Sequence, residues 1–263
     1  MVGPDSLLRD KNVLVMGVAN EHSIAWAVAK AVLKAGGTIA LSYQAPRLRQ
    51  RLERLLATLE PAQAAAVPLI ECDVSDDAGV ATAVAELATL MPQLHGLVHS
   101  IAWAPAEDLQ GSFVSTTRAG FAAASDVSAY SLVAVAREAR RLFTPDASIV
   151  TMTYAGSRRV FPNYNVMGPA KASLEACVRY LAADLGPAGV RVNAVSAGPI
   201  YTVAARTIKD FESMMELLQG HTPLRRNVTA DEVADATVFL LSDLSRGVTG
   251  EVLHVDAGAH AVA

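Results

Sequence analysis

Short apolar runs alternate with longer amphipathic stretches along the whole chain, and this rhythm constrains the fold more than any single residue does. The runs are "NVLVMGV", "TIALSY", "AVPLIECD", "GLVHSIA", "ASIVTMTY", "RVNAVSA" and "GEVLHVD". They are near-continuous in Val, Ile and Leu, which predicts strands buried on both faces, and the helix-length connections predict parallel pairing through βαβ crossovers. The expected fold is therefore α/β, a Rossmann-type doubly wound parallel sheet of about seven strands with helices on both faces. Ligands of such sheets bind at the carboxyl ends of the strands. At 263 residues one domain, 1–263, accounts for the whole chain. The stretch "IYTVAARTIKDFESMMELLQG" interrupts the last crossover with an amphipathic piece belonging to no strand. It predicts a flexible substrate lid over 201–220.

Charge and composition exclude other classes. The 22 Lys and Arg against 26 Asp and Glu leave a net charge of -4 with no basic stripe, so nucleic acid is not an expected partner. Hydrophobic residues make up 52% of the chain, yet the runs are broken by Lys30, Lys34, Arg137 or Glu175 and fall below a membrane-spanning length, which assigns the apolar surplus to a core and no membrane partner. The first residues carry no basic segment followed by an apolar stretch, so the expected location is the cytoplasm. Cys72 and Cys177 are too few for a disulfide framework and lack metal-ligand spacing, so buried thiols and no metal are expected.

Four strand ends carry residues suited to a dinucleotide. In "MGVANEHSIAWAVAK", Gly17 ends the first strand and Ser23 opens a helix, which suits a diphosphate that needs a tight turn and helix-terminal NH groups. Only the first glycine of GxGxxG is present, and a plain turn with a Ser23 helix cap fits the same residues. The second strand ends at Gln44, whose amide can bond both hydroxyls of an adenosine ribose but offers a 2'-phosphate no charge, with Arg47 and Arg49 nearby. Asp73, after the third strand, fits either an adenine amino group or a helix cap. Ser100 and Ala102, after the fourth, are small enough for a cofactor to lie against backbone.

Further along, "YAGSRRVFPNYNVMGPAKASLEA" holds Tyr154, Tyr164 and Lys171. In order with "GVANEHSIA", "CDVSD", "HSIAWAP", "GVRVNAVSAGPIYT" and "GEVLHVDAG", it resembles the bacterial enoyl-acyl-carrier-protein reductases, divergent members of the short-chain dehydrogenase/reductase superfamily. The resemblance spans nearly the whole chain. Its most specific part is Tyr-x6-Lys preceded by a second Tyr. Ketone reductases of the superfamily carry Tyr four residues before Lys and Ser thirteen residues before that Tyr; here those positions are Met167 and Tyr154. On an ideal helix a separation of seven puts Tyr164 and Lys171 about 10.5 Å apart along the axis and on one face. Pro169 predicts a local bend or a late helix start.

The resemblance implies reduction of the C2–C3 double bond of trans-2-enoyl thioesters on acyl-carrier protein by NADH, with NADPH less favoured, in fatty-acid biosynthesis. Lys171 would hold the nicotinamide ribose, Tyr164 would donate to the thioester carbonyl, and Tyr154 would shape the pocket. The implied cofactor set is Gly17, Ser23, Ile24, Gln44, Asp73, Val74, Ser100, Ile101, Ala102, Lys171, Ile200 and Thr202. A homotetramer is the family's usual assembly. Ala102, Trp103 and Pro169 depart from the common pattern without removing a named catalytic group. Alternatives are a short-chain ketone or alcohol reductase, which the altered Tyr and Ser positions disfavour, and a non-catalytic dinucleotide-binding regulator, which the intact Tyr164 and Lys171 disfavour.

Overall fold

The computed structural model describes residues 6–202, 215 and 219–262. Seven strands, β1 (Asn12–Met16), β2 (Thr38–Tyr43), β3 (Leu69–Glu71), β4 (Leu94–His99), β5 (Phe143–Thr153), β6 (Arg191–Ala197) and β7 (Val252–Val255), form one sheet in the order β3-β2-β1-β4-β5-β6-β7. Every pairing is parallel. The expected α/β architecture is thus the observed one. Strand order reverses between β1 and β4, which opens a crevice at their carboxyl ends.

The helices are α1 (Ile24–Lys34), α2 (Pro46–Leu56), α3 (Pro61–Ala65), α4 (Asp77–Leu90), α5 (Arg118–Ser125), α6 (Ser131–Ala139), α7 (Met167–Leu185) and α8 (Ala230–Leu241). Alternation along each strand feeds two cores. Val13 and Val15 of β1 face the core shared with α1, α2 and α8, through Trp26, Val28, Leu52, Val233 and Leu240. Leu14 and Met16 face the opposite core, shared with α4, α6 and α7 through Leu87, Leu132, Leu174 and Val178.

Two expectations need correction. The helical stretch Arg118–Leu142, 25 residues with a window of mean hydropathy 1.3, is long and apolar enough to span a membrane, against the reading that no segment is. Half of that window is buried inside the fold, as befits a core helix. Its π turn at Asp126–Tyr130 also brings Ser128 to the loop after β4, where its hydroxyl accepts from the Trp103 NH at 2.9 Å and donates to the Trp103 carbonyl at 3.0 Å. Second, Cys72 is buried, its thiol pushed up to about 11 by burial and then by Asp73, but Cys177 is only half-buried. Most of the lid expected at 201–220 lies outside the described residues; Tyr201, Thr202, Met215, Gln219 and Gly220 fall within them.

Candidate active site

The crevice between β1 and β4 is shaped by what is missing from Gly17. Its φ is +94°, and a Cβ there would stand 2.1 Å from the Ser100 carbonyl oxygen, so only glycine lets the two strand ends approach. The loop that follows is closed by Ser23. Its hydroxyl accepts from the NH groups of Ala19 at 3.2 Å and Asn20 at 3.1 Å and donates to the Asn20 carbonyl. Ser23 occupies the N-cap position of α1 without a capping hydrogen bond, which corrects the helix-cap alternative. It holds the loop shape and leaves the first turn of α1 free to face a ligand, with half-buried Ile24 at its start.

Gln44, exposed after β2, donates through its side-chain amide to Asp73 at 3.3 Å, so the ends of β2 and β3 form one polar edge. Asp73 also accepts from the NH and hydroxyl of Ser75, and these bonds together with Gln44 hold its carboxyl below the usual range against the opposing effect of burial. Asp73 does not cap α4. Asp76 does, accepting from the NH groups of Ala78 and Gly79. Val74 is buried beside this edge. Arg49 pairs with Glu53 on the α2 surface at 3.0 Å, and Arg47 is exposed. Arg51, one helical turn beyond Arg47, places a guanidinium NH 3.4 Å from the Ala19 carbonyl, over the loop itself. Ser100, bonded by its NH to the Met16 carbonyl at 3.2 Å, leads into Ile101 and exposed Ala102 on the far wall. Half-buried Ile200 and Thr202 follow β6, where the Thr202 NH bonds back to the Ile200 carbonyl at 2.8 Å.

Tyr154, Tyr164 and Lys171 converge at the carboxyl end of β5. Tyr154 is the first residue beyond the strand, and its ring packs edge-on against Tyr164 at 5.0 Å and against Phe161 at 5.0 Å. Its hydroxyl is buried with no hydrogen-bond partner among the described residues. Tyr164 does not sit on the helix that carries Lys171. Asn163 and Asn165 have φ of +61° and +33°, the turn runs through residue 166, and α7 begins at Met167. Ideal-helix spacing therefore does not describe Tyr164. Pro169 delays the helix start as expected, and its missing NH falls in the first turn, where an NH has no intrahelical partner.

Lys171 is buried, 6% exposed, and its ammonium donates to the Met152 carbonyl at 2.8 Å. Burial lowers its pKa to about 8, with Glu175 acting in the opposite direction. Both phenols are pushed up, Tyr154 by burial and then Asp256, Tyr164 by burial and then Tyr154 and Glu175. Both are therefore protonated donors at neutral pH. Behind them His99 is fully buried, its Nδ1 3.0 Å from the Thr151 hydroxyl and its Nε2 2.9 Å from the Ser131 hydroxyl. The Thr151 hydroxyl donates to the His99 carbonyl at 3.0 Å and the Ser131 hydroxyl to the Val127 carbonyl at 2.7 Å, so each hydroxyl oxygen is open to accept from the imidazole. Burial, and then the Lys171 charge, lower this imidazole to about 3.

The motif pattern gave no role to His99, Arg51 or Glu175. Glu175 had one usable signal: a carboxylate four residues after Lys171, hence on the same helix face, amid apolar neighbours.

The enoyl-(acyl carrier protein) reductase family model matches residues 17–260. The chain is 48% identical over 254 residues to enoyl-acyl-carrier-protein reductase (NADH) of Bacillus cereus, covering 97% of this chain and 98% of that one. It is 46% identical over 255 residues to the enzyme of Staphylococcus aureus named for NADPH, covering 97% and 98%. The crystal structure of the Bacillus cereus enzyme with NADP+ and an indole naphthyridinone superposes with a TM-score of 0.95 at 47% identity, over 98% of this chain and 99% of that one. A chain matched over nearly its full length by fold, by family model and by sequence at this level is a member of the enoyl-acyl-carrier-protein reductase family.

Proposed function

We propose that this protein reduces the C2–C3 double bond of trans-2-enoyl thioesters on acyl-carrier protein with NADH, in fatty-acid biosynthesis. The observation that carries this reading is the meeting of Tyr154, Tyr164 and Lys171 at the end of β5, in a chain whose relatives are named for that reaction. A dinucleotide fits the crevice: the absent side chain of Gly17, the open first turn of α1 and the Gln44–Asp73 edge suit a diphosphate and an adenosine. Gly17, Ser23, Ile24, Gln44, Asp73, Val74, Ser100, Ile101, Ala102, Ile200 and Thr202 would line it. Held there, NADH would supply the hydride for the reduction.

Lys171, protonated at neutral pH and within a dry wall, would donate to ribose hydroxyls and favour negative charge beside it. Tyr164, its phenol held protonated, would donate to the thioester carbonyl and stabilise the enolate formed as C3 is reduced, as an oxyanion hole does. Tyr154 presents a buried hydroxyl that has no hydrogen-bond partner among the described residues and would orient substrate beside Tyr164. NADPH is the less favoured cofactor, because the ribose edge carries Gln44 rather than a cation. Assembly as a homotetramer fits the exposed Phe121, Tyr130 and Tyr180 on the 118–142 helix and α7, and the cytoplasm is the location proposed with it.

NADH oxidation measured with crotonyl thioesters of acyl-carrier protein tests the reading. Turnover is expected with the enoyl substrate; equal or better activity on a 3-ketoacyl thioester would favour the ketone reductase instead.

A further inference from the structure

Glu175 is 4% exposed, one turn beyond Lys171 on α7. A carboxylate so placed is unfavourable unless donors meet it. Three do. Oε1 accepts from the Thr153 hydroxyl at 2.9 Å and from the Ser157 hydroxyl at 2.6 Å, and Oε2 accepts from the Arg158 guanidinium at 3.4 Å. Thr153 is the last residue of β5, and Ser157 and Arg158 belong to the tight turn that follows. Tyr154 stands between these donors. The same turn also supports the second tyrosine: a Cβ on Gly156 would lie 2.4 Å from the Tyr164 ring, so that ring rests directly on the turn's backbone. One carboxylate thus links the helix of Lys171 to the supports of both tyrosines.

We propose that Glu175 is a positioning residue, whose buried carboxylate fixes the end of β5 and the following turn to α7 and so sets Tyr154 and Tyr164 relative to Lys171. This rests on the reductase reading above. The electrostatics agree with the geometry. Lys171 faces Glu175 from its own helix and His99 from β4, and among the described residues Glu175 supplies the negative charge that favours its ammonium. Glu175 in turn faces Arg158. It also borders a cavity of about 160 Å³ shared with Arg159, Ser196, His254 and His260, near Asp256, whose carboxylate bonds His260.

The test compares wild type with Glu175→Gln, Glu175→Asp and Ser157→Ala in the full-length protein. Two quantities are read: kcat and KM with crotonyl thioester and NADH, and the titration of Lys171 followed by NMR of isotope-labelled lysine, assigned with Lys171→Arg. Glu175→Gln should lower kcat on the order of 10- to 100-fold with KM changed less, and should move the Lys171 titration to lower pH. Glu175→Asp keeps the charge but withdraws it by one methylene, so the titration should stay near that of wild type while kcat falls. If Glu175→Gln fails to fold, Ser157→Ala, which removes one donor from a half-buried site, should still lower kcat severalfold. A kcat within about twofold of wild type in these variants, with only the melting temperature reduced, would overturn the proposal. So would full recovery of kcat in Glu175→Asp. A wild-type protein that does not reduce crotonyl thioester would instead defeat the reductase reading, while the lysine titration would still report whether Glu175 governs Lys171.

Discussion

The two ends of the crevice are made of different materials. Around the tips of β1, β2 and β3 the shape comes from main chain and small side chains: Gly17 against the Ser100 carbonyl, the loop closed by Ser23, the neutral Gln44 amide on Asp73. Around the tips of β5 and α7 it comes from titratable side chains: Lys171, Tyr154 and Tyr164, whose protonation burial shifts, and Glu175, whose buried carboxylate accepts from the Ser157 hydroxyl. The first end should yield to added volume and the second to removed charge.

The largest expected effect is at the second end. Lys171→Ala should lower kcat/KM by about 10³-fold and weaken NADH binding by roughly tenfold, because one group serves both binding and chemistry. Tyr164→Phe should lower kcat by about 10²-fold while NADH affinity stays within about twofold, since the phenol donor acts on the substrate. Fluorescence titration with NADH beside steady-state kinetics separates them. Normal NADH binding by the lysine variant would sever the link between charge and cofactor.

At the first end, Gly17→Ala puts a methyl group against a backbone carbonyl at a left-handed φ. Neither partner can move cheaply, so it should cost about 1–3 kcal/mol of stability and roughly 10²-fold in NADH affinity, read by urea midpoint and titration. Gly156→Ala probes the comparison from the other side. Its Cβ would meet the edge of a tyrosine ring rather than backbone, so the ring should shift and kcat fall about tenfold with stability changed by about 1 kcal/mol or less. If Gly156→Ala unfolded the protein as Gly17→Ala should strain it, the catalytic end would be as rigid in its backbone as the cofactor end.

Legibility in the sequence divides along the same line. Continuous Val and Ile runs identified every strand because parallel strands are buried on both faces, and Gly17 was legible because a strand-to-helix turn at a phosphate needs it. Tyr164 was identified by its place before Lys171, but its backbone was not, since helical spacing says nothing of two asparagines in the left-handed region. Ser23 and Asp73 each had two local readings. Only coordinates reveal that Ser23 bonds backward into its loop and that Asp76 takes the cap. Glu175 was hidden because its three donors lie 17 to 22 residues away in sequence.

Acid should also act through a neutral group. His99 titrates near pH 3 in the folded protein and near the ordinary 6.5 when unfolded, so the unfolded chain takes up a proton that the folded one refuses. The contribution is complete above about pH 6.5 and is lost by about 1.4 kcal/mol per pH unit as pH falls toward 3. Urea unfolding at pH 6.5 and 4.5 should show His99→Gln losing less stability between the two than wild type does. An equal loss in both would mean that the imidazole takes up a proton without unfolding.

The smallest expected effect is the most discriminating for the cofactor end: kcat/KM should favour NADH over NADPH by a modest factor, about threefold or more. A 2'-phosphate brings nearly two negative charges and is best met by a cation at the end of β2, where this chain places Gln44, already bonded to Asp73. Arg49 is occupied by Glu53 on the surface of α2. Arg47 and Arg51 lie one turn apart on that helix, and Arg51 reaches the Ala19 carbonyl, so cations stand close to the ribose without lining it. Solvent-exposed charges at such a remove attract a phosphate weakly and lose that attraction with salt. The NADH advantage should accordingly widen as ionic strength rises, and NADPH use should fall further in Arg51→Ala and Arg47→Ala while NADH use changes little. Relatives named for each cofactor make the contrast a fair test of this chain's own edge. A clear NADPH advantage, abolished by either arginine substitution, would mean that the cofactor end too is governed by charge, and the division between the two ends would fail.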